Sequence, residues 1–150
     1  MADDAPAAQS TPAFAAPPPT PLGLTPYLTI RGGRGQEALR FYEEAFGAKE
    51  LFRNVGQDGQ RLMHARFEVN GAVVFLSDDF PDMRGGAETP PPAAVTLHLQ
   101  VDDADAWARR ASQAGAEITM PINEMFWGDR YGQLKDPFGH SWSLGSTPKR

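Results

Sequence analysis

The chain contains 150 residues, carries a formal net charge of −5 and has no cysteine. Its length is typical of one domain, and the lack of cysteine excludes disulfides, thiol catalysis and zinc sites built from thiolates. No block of Lys and Arg occurs, which argues against a nucleic-acid partner. Because there is no stretch of about 18 apolar residues and no apolar segment after the acidic start, we expect no membrane span, no secretory signal and a cytoplasmic location.

Residues 1–24 are dominated by Ala and Pro and include the run Pro17-Pro18-Pro19. Such a segment has little to bury, and each proline lacks a backbone amide donor. The composition predicts a disordered or polyproline-like leader, with the folded domain at 25–150. A Pro-rich docking ligand is the alternative, although no basic residue flanks the prolines.

Four strands and one helix are predicted between residues 26 and 79. Alternating apolar residues and turn signals predict the strands, at 27–30, 49–55, 62–69 and 72–77. Apolar residues at spacings of 3 and 4 follow the first strand and predict an amphipathic helix that ends at Gly47: Ala38, Phe41, Tyr42, Ala45 and Phe46.

The stretch 94–147 repeats this order after a Pro- and Gly-rich connection. Strands are predicted at 95–101, 116–121, 130–135 and 140–144. The helix of this half starts after Asp102-Asp103, which offers an N-cap, and ends at Gly115. The sequence therefore predicts an α+β fold of two βαβββ modules, 26–79 and 94–147. One helix leaves one face of each sheet uncovered, and two such faces can form a shared curved cleft for a small molecule.

Motifs at 37–48, 63–65, 126–132 and 136–142 resemble those of the vicinal oxygen chelate superfamily, and most closely its PhnB-like branch. This superfamily includes glyoxalases, bleomycin- and fosfomycin-resistance proteins and extradiol dioxygenases. The resemblance covers the chain from about Pro26 to Ser146. It implies a glyoxalase-like fold and a homodimer, since relatives complete their clefts by pairing modules across chains.

Metal-dependent members of the superfamily place His or Glu on the first and last strands of each module. By this resemblance, the ligand positions fall near Tyr27, in 73–77, on His98 and on Ser143. Only His98 is a usual ligand for a divalent ion, because Tyr27 and Ser143 carry hydroxyls and 73–77 has no carboxylate. We therefore expect no cofactor and a small-molecule site without the family metal.

The alternative is a divalent-metal site improvised from His98 with His64 and either Glu68 or Glu124. Such a site would support a metal-dependent lyase, isomerase or resistance transferase of the same superfamily. No catalytic constellation in the sequence is complete, so the residues leave open whether the protein is an enzyme.

Strand alternation groups the candidate binding residues. His98 shares a face with Thr96 and Gln100, and a polar face on a buried strand indicates a polar cavity. His64 shares a face with Arg66. This face is either solvated and charge-paired, or it lines the cleft and Arg66 acts as an anion clamp. Eight residues form the expected ligand-binding set: His98, Tyr27, Ser143, Gln100, His64, Arg66, Trp127 and Arg130. Of these, Tyr27, His98 and Ser143 are expected to converge.

The segment around Trp127 allows two interpretations. Trp127 can supply a cavity wall or part of the core. Asp129 and Arg130 lie between aromatic residues, where they can close a loop over the cleft or form an ion pair that holds a hairpin.

Overall fold

The computed structural model describes residues 16–149 and contains two βαβββ modules. The first module consists of β1 (Tyr27–Ile30), α1 (Gly35–Phe46), β2 (Lys49–Val55), β3 (Leu62–Val69) and β4 (Ala72–Asp78). The second consists of β5 (Thr96–Gln100), α2 (Ala104–Ala114), β6 (Glu117–Glu124), β7 (Arg130–Lys135) and β8 (Ser141–Ser146). A short 3₁₀ helix, Pro81–Arg84, lies in the connection between them. The predicted α+β fold of two βαβββ modules is confirmed.

Residues 16–24, the described part of the predicted leader, form neither helix nor strand and are exposed. The rest of that segment, residues 1–15, lies outside the described residues. Neither α-helix in the described part of the chain is long and apolar enough to cross a membrane.

Both sheets have the same topology. Their strand orders are β1-β4-β3-β2 and β5-β8-β7-β6. In each sheet the first and last strands of the module pair in parallel, and the other pairs are antiparallel. The repeat seen in the sequence is therefore a repeat of complete folding units, each with one helix over one sheet face.

The two helices begin in different ways. The carboxylate of Asp103 accepts a hydrogen bond from the backbone amide of Ala106 at 3.0 Å, which confirms the predicted N-cap of α2. Helix α1 has no side-chain cap of its own, and the buried Asp78 on β4 accepts from the amide of Gly35 at 2.8 Å instead. Asp78 also accepts from the amide of Leu62 at 2.6 Å, so one carboxylate joins α1, β3 and β4.

The modules pack together through their helix-covered sides. The ring of Phe46 on α1 lies 4.9 Å from that of Trp142 on β8, and the Tyr42 hydroxyl donates to Asp136 at 2.5 Å. One apolar core therefore contains both helices and the inner side chains of both sheets. The other face of each sheet lies outside this core, and we call these the two open faces.

Candidate functional site

Strand alternation determines which side chains lie on the open faces. Odd-numbered residues of β1 and β4 and even-numbered residues of β3 from His64 onward lie opposite the buried ones. The first open face contains Tyr27, Phe52, His64, Arg66 and Phe75. The second open face contains His98, Gln100, Tyr131, Gln133 and Ser143.

Three polar residues of the first open face form a continuous hydrogen-bonded row. Tyr27 Oη lies 2.8 Å from His64 Nδ1, and Arg66 Nε donates to His64 Nε2 at 2.9 Å. The Arg66 guanidinium also lies over the ring of Phe75, 4.5 Å from its centroid. The structure thus places three of the predicted binding residues in one cluster.

This row determines where the protons lie. An arginine Nε can only donate, so His64 Nε2 accepts and the neutral ring carries its proton on Nδ1. His64 then donates to Tyr27 Oη, which leaves the phenolic proton of Tyr27 free to bind another acceptor. Burial, and then the charge of Arg66, lower the pKa of His64 below its ordinary 6.5, which favours this neutral form.

His98 is fixed at both ring nitrogens on the second open face. Its Nδ1 lies 2.8 Å from Ser143 Oγ, and its Nε2 lies 2.8 Å from Gln100 Oε1. Gln100 is itself oriented by donating to Thr147 Oγ1 at 3.3 Å. Since the Gln100 oxygen can only accept, His98 donates to it from Nε2, whereas the Ser143 hydroxyl can donate to Nδ1 or accept from it. The ring is therefore held in one orientation.

An aromatic surface extends from His98 toward the β6–β7 loop. The His98 ring stacks on Tyr131 with centroids 6.0 Å apart and an interplanar angle of 24°. Gln133 donates to the Tyr131 hydroxyl at 3.0 Å, and Trp127 packs edge-on against Tyr131 at 5.8 Å. Trp127 is 51% exposed, so it supplies a wall of this face and not part of the core.

Arg130 does not belong to either open face. It lies on the helix side of β7, one residue from Tyr131, and makes a two-pronged ion pair with Asp105 on α2 at 2.6 and 2.9 Å. The interpretation of Asp129 and Arg130 as an ion pair is therefore wrong, because Arg130 has Asp105 as its partner. The ion pair of Arg130 with Asp105 links β7 to the start of α2.

The expected convergence of Tyr27 with His98 and Ser143 is not met within one chain. Across the described residues, no hydrogen bond or aromatic contact joins the first open face to the second. The physical reason is that both sheets turn their helix-covered sides to the shared core. One chain thus presents two separate clusters, one around His64 and one around His98.

The donor set around His98 does not fit the family's divalent ion. Both ring nitrogens already have hydrogen-bond partners, and those partners are the neutral oxygens of Ser143 and Gln100. Within residues 16–149, no three His, Asp or Glu side chains are grouped so that they could hold a metal. The improvised combination of His98 with His64 and Glu68 or Glu124 is not assembled there, because His64 and His98 lie on different open faces.

A cavity of about 660 Å³ lies away from both clusters, beside the turn that contains Gly32 and Gly33. Of the two arginines in its lining, Arg31 and Arg61, Arg61 is already paired with Asp58 and Asp82, each at 2.6 Å. Another cavity, of about 390 Å³, lies between the starts of β1 and β5, and its mainly apolar lining also includes Tyr27, His140 and Ser141. Neither cavity is lined by His64 or His98, so we take the two open faces as the candidate site.

Four residues of the open faces were outside the predicted binding set: Phe52, Phe75, Tyr131 and Gln133. Gln133 follows Tyr131 by two positions, and alternation along β7 could have placed both on one face. Phe75 lies beside Tyr27 only through the pairing of β1 with β4, a long-range register that no local pattern reveals.

A family model for the Glyoxalase/Bleomycin resistance protein/Dioxygenase superfamily matches residues 25–144. An uncharacterized protein of Mycobacterium bovis is 45% identical over 126 residues, which cover 81% of each chain. A glyoxalase-related enzyme from Fulvimarina pelagi is 25% identical and has a TM-score of 0.65, with 85% of this chain and 90% of that chain covered. The PhnB protein of Bacillus cereus shares the fold at 18% identity, with a TM-score of 0.62 over 83% of this chain and 98% of its own.

The family match extends from just before β1 into β8 and so includes both modules and both open faces. The residues that carry the resemblance lie along α1, on β3, from the β6–β7 loop into β7, and around the β7–β8 turn. The chain belongs to the Glyoxalase/Bleomycin resistance protein/Dioxygenase superfamily.

Proposed function

We propose that the protein binds a small polar or aromatic molecule in a cleft formed by its open faces, without the family metal. The observation that carries this proposal is His98, whose ring is fixed by Ser143 and Gln100 on a face that the chain leaves uncovered. A side chain held in one rotamer loses little entropy when a ligand binds, which is the property of a preorganised site.

The character of the second open face indicates the kind of ligand. Tyr131 and Trp127 offer π-surfaces beside His98, and the amide of Gln133 and the hydroxyl of Ser143 offer hydrogen bonds. Flat molecules with a few polar groups match such a combination of stacking surface and fixed polar atoms.

A second copy of the chain is the proposed cover for these faces. In one chain Tyr27 is 52% exposed and Trp127 is 51% exposed, so both clusters have aromatic surface in contact with water. A small ligand alone would leave part of this surface exposed. Placing the first open face of one chain over the second open face of another would bring Tyr27 toward His98 and Ser143. A twofold dimer would form two such clefts with one kind of contact.

Ligand screening with a site variant tests the binding proposal. A panel of substituted benzoates, phenols and pyridines is titrated into the full chain while tryptophan fluorescence is recorded. We expect His98→Ala to weaken binding of the hits about tenfold or more, because hydrogen bonds and stacking are lost together. Gln113→Ala, a change at an exposed position on α2, is the control and should leave the titrations unchanged. If no compound binds, or if His98→Ala binds every hit as the wild type does, the proposal fails.

A metal-dependent lyase, isomerase or resistance transferase is the alternative, and the imidazole of His98 is the observation that favours it. Elemental analysis of the purified full chain separates the two functions. The proposal predicts less than stoichiometric nickel, zinc and manganese. One equivalent of any of them, lost in His98→Ala, would support the alternative.

A further inference from the structure

Arg66 has no carboxylate partner among the described residues. The ion pairs of that part of the chain involve Arg34, Arg53, Arg61, Arg84 and Arg130, and none includes Arg66. Glu68, the next residue on the same face, makes no ion pair with it. A half-buried guanidinium without an anion is costly to desolvate unless other groups compensate or a ligand supplies the charge.

The Arg66 guanidinium is nevertheless held in place. Its Nε donates to His64 at 2.9 Å, and its plane lies over Phe75. One edge of the fork is therefore used for positioning, and the terminal Nη groups keep their hydrogens for another acceptor. A guanidinium fixed in this way is suited to bind two oxygens of one anion, since little freedom is lost on binding.

Tyr27 adds a second donor beside this fork. Tyr27 and Arg66 flank the same imidazole, one at each ring nitrogen of His64. Because His64 donates to Tyr27 Oη, the phenolic hydrogen is free. A positive fork and a hydroxyl donor on either side of a neutral ring form a site for a negatively charged oxygen group.

The acceptor that this site holds in the free chain is the carbonyl oxygen of Pro18, to which Arg66 Nη1 donates. The Pro-rich segment around it, residues 16–24, is otherwise exposed and forms no regular structure. Proline has a backbone carbonyl but no amide hydrogen, so Pro18 can accept a hydrogen bond from Arg66 and has no amide donor of its own that needs a partner. A carboxylate or phosphoryl oxygen would bring a negative charge to the guanidinium and could accept from it in a two-pronged geometry, which a single carbonyl oxygen cannot do.

We propose that Arg66 and Tyr27 form an oxyanion site for a carboxylate or phosphoryl group of the ligand, and that the Pro18 carbonyl occupies this site in the free protein. The segment 16–24 is then a tethered competitor that a suitable anion displaces. This inference rests on the proposed small-molecule function and assigns the first open face to the charged end of the ligand.

Inorganic phosphate and benzoate are the test anions, and benzamide is the uncharged control. Each is titrated into the full chain while the nuclear magnetic resonance signals of the His64 ring are followed. We expect both anions, but not benzamide, to shift these signals. Which of the two binds more tightly identifies the phosphoryl or the carboxylate group as the preferred one.

Variants assign the effect to the two donors. Arg66→Gln should weaken anion binding about tenfold or more, and Tyr27→Phe by a few-fold, since each loses a hydrogen bond to a charged group. Arg109→Gln, which removes an exposed arginine from α2, should bind both anions as the wild type does. If Arg66→Gln misfolds, Arg66→Lys replaces it, with an intermediate loss expected because the charge stays and the fork is gone. Wild-type affinity in the Arg66 variant that folds overturns the inference.

The leader is tested in the full chain by changing Pro17, Pro18 and Pro19 together to glycine. A flexible segment spends less time over Arg66 than a stiff polyproline one, so the affinity for benzoate and phosphate should rise a few-fold. Unchanged affinity would contradict the competition. Loss of binding in His98→Ala with no effect in the Arg66 variants sinks this inference alone, whereas the reverse result sinks the proposed function of the second open face.

Discussion

Replacement of Asp136 by alanine is expected to destabilise the chain more than any change on the open faces. Asp136 is 3% exposed and accepts four hydrogen bonds. Its Oδ2 accepts from the Tyr42 hydroxyl at 2.5 Å and from Trp142 Nε1 at 2.9 Å. Its Oδ1 accepts from the amides of Phe138 and His140 at 2.9 and 3.0 Å. One carboxylate therefore ties α1 of the first module to the β7–β8 turn of the second.

The size of the expected loss of stability follows from the four hydrogen-bond donors that would have no partner in Asp136→Ala. Each buried donor without a partner costs about 1–3 kcal/mol, and water entering the vacated space compensates part of this. Relief from burying a charge offsets another part, so we expect a net loss of about 3–5 kcal/mol. That is a large share of the roughly 5–15 kcal/mol that stabilises a typical domain. At this chain length it corresponds to a fall in Tm of roughly 10–15 °C.

Urea unfolding followed by circular dichroism measures this loss, and graded variants test its origin. Asp136→Asn keeps the acceptor for the two amides but sets an amide donor against the indole of Trp142, so about half the loss is expected. Tyr42→Phe removes one bond and should cost about 1 kcal/mol. Asp102→Asn, at an exposed position, is the control. If the free energy of unfolding of Asp136→Ala lies within about 1 kcal/mol of the wild-type value, the Asp136 carboxylate does not hold the two modules together.

Three further outcomes follow from single contacts. Gly35→Ala should lower the free energy of unfolding by about 1–3 kcal/mol in urea melts, since a Cβ there would overlap the Asp78 carboxylate, and unchanged stability would contradict that packing. Because the pKa of His64 is lowered in the folded chain, the unfolded chain binds the proton more readily, and the free energy of unfolding should fall as the pH drops below about 6.5. His64→Gln should remove this part of the pH dependence, and identical pH profiles of the variant and the wild type would refute the assignment. Burial and the neighbouring Asp136 raise the pKa of Tyr42 well above 10.0, so the free energy of unfolding should fall as the pH rises past that value. Tyr42→Phe should remove the phenolate absorbance that appears only when the chain unfolds at alkaline pH, and its persistence in the variant would contradict the assignment.

Local periodicity predicted the modules because each strand and helix buries one side. Its errors lie at strand ends. β6 was expected to stop at Pro121 but continues to Glu124. The strand lies at the edge of its sheet, and its pairing with β7 is irregular between Met120 and Asn123, so the missing amide of the proline breaks no ladder bond. A proline is a reliable stop signal only for strands with neighbours on both sides.

The candidate site was predictable only in its short-range part. Alternation placed His98 with Gln100 and His64 with Arg66 on common faces, and the family resemblance suggested Ser143 as a neighbour of His98. The contact of Tyr27 with His64 joins residues 37 positions apart and depends on strand order. The separation of the two open faces depends on α1 packing against β8, which no single element encodes.

The cross-chain cleft is tested most directly by mixing two defective chains. His98→Ala damages the second open face, and Arg66→Gln damages the first. The probe is the panel compound that the wild type binds most tightly, and each variant alone should bind it poorly. A mixture unfolded and refolded together should contain mixed dimers with one intact cleft, so about one quarter of the wild-type sites should return. If the mixture binds no more of the probe than the two variants do separately, the cleft is not shared between chains.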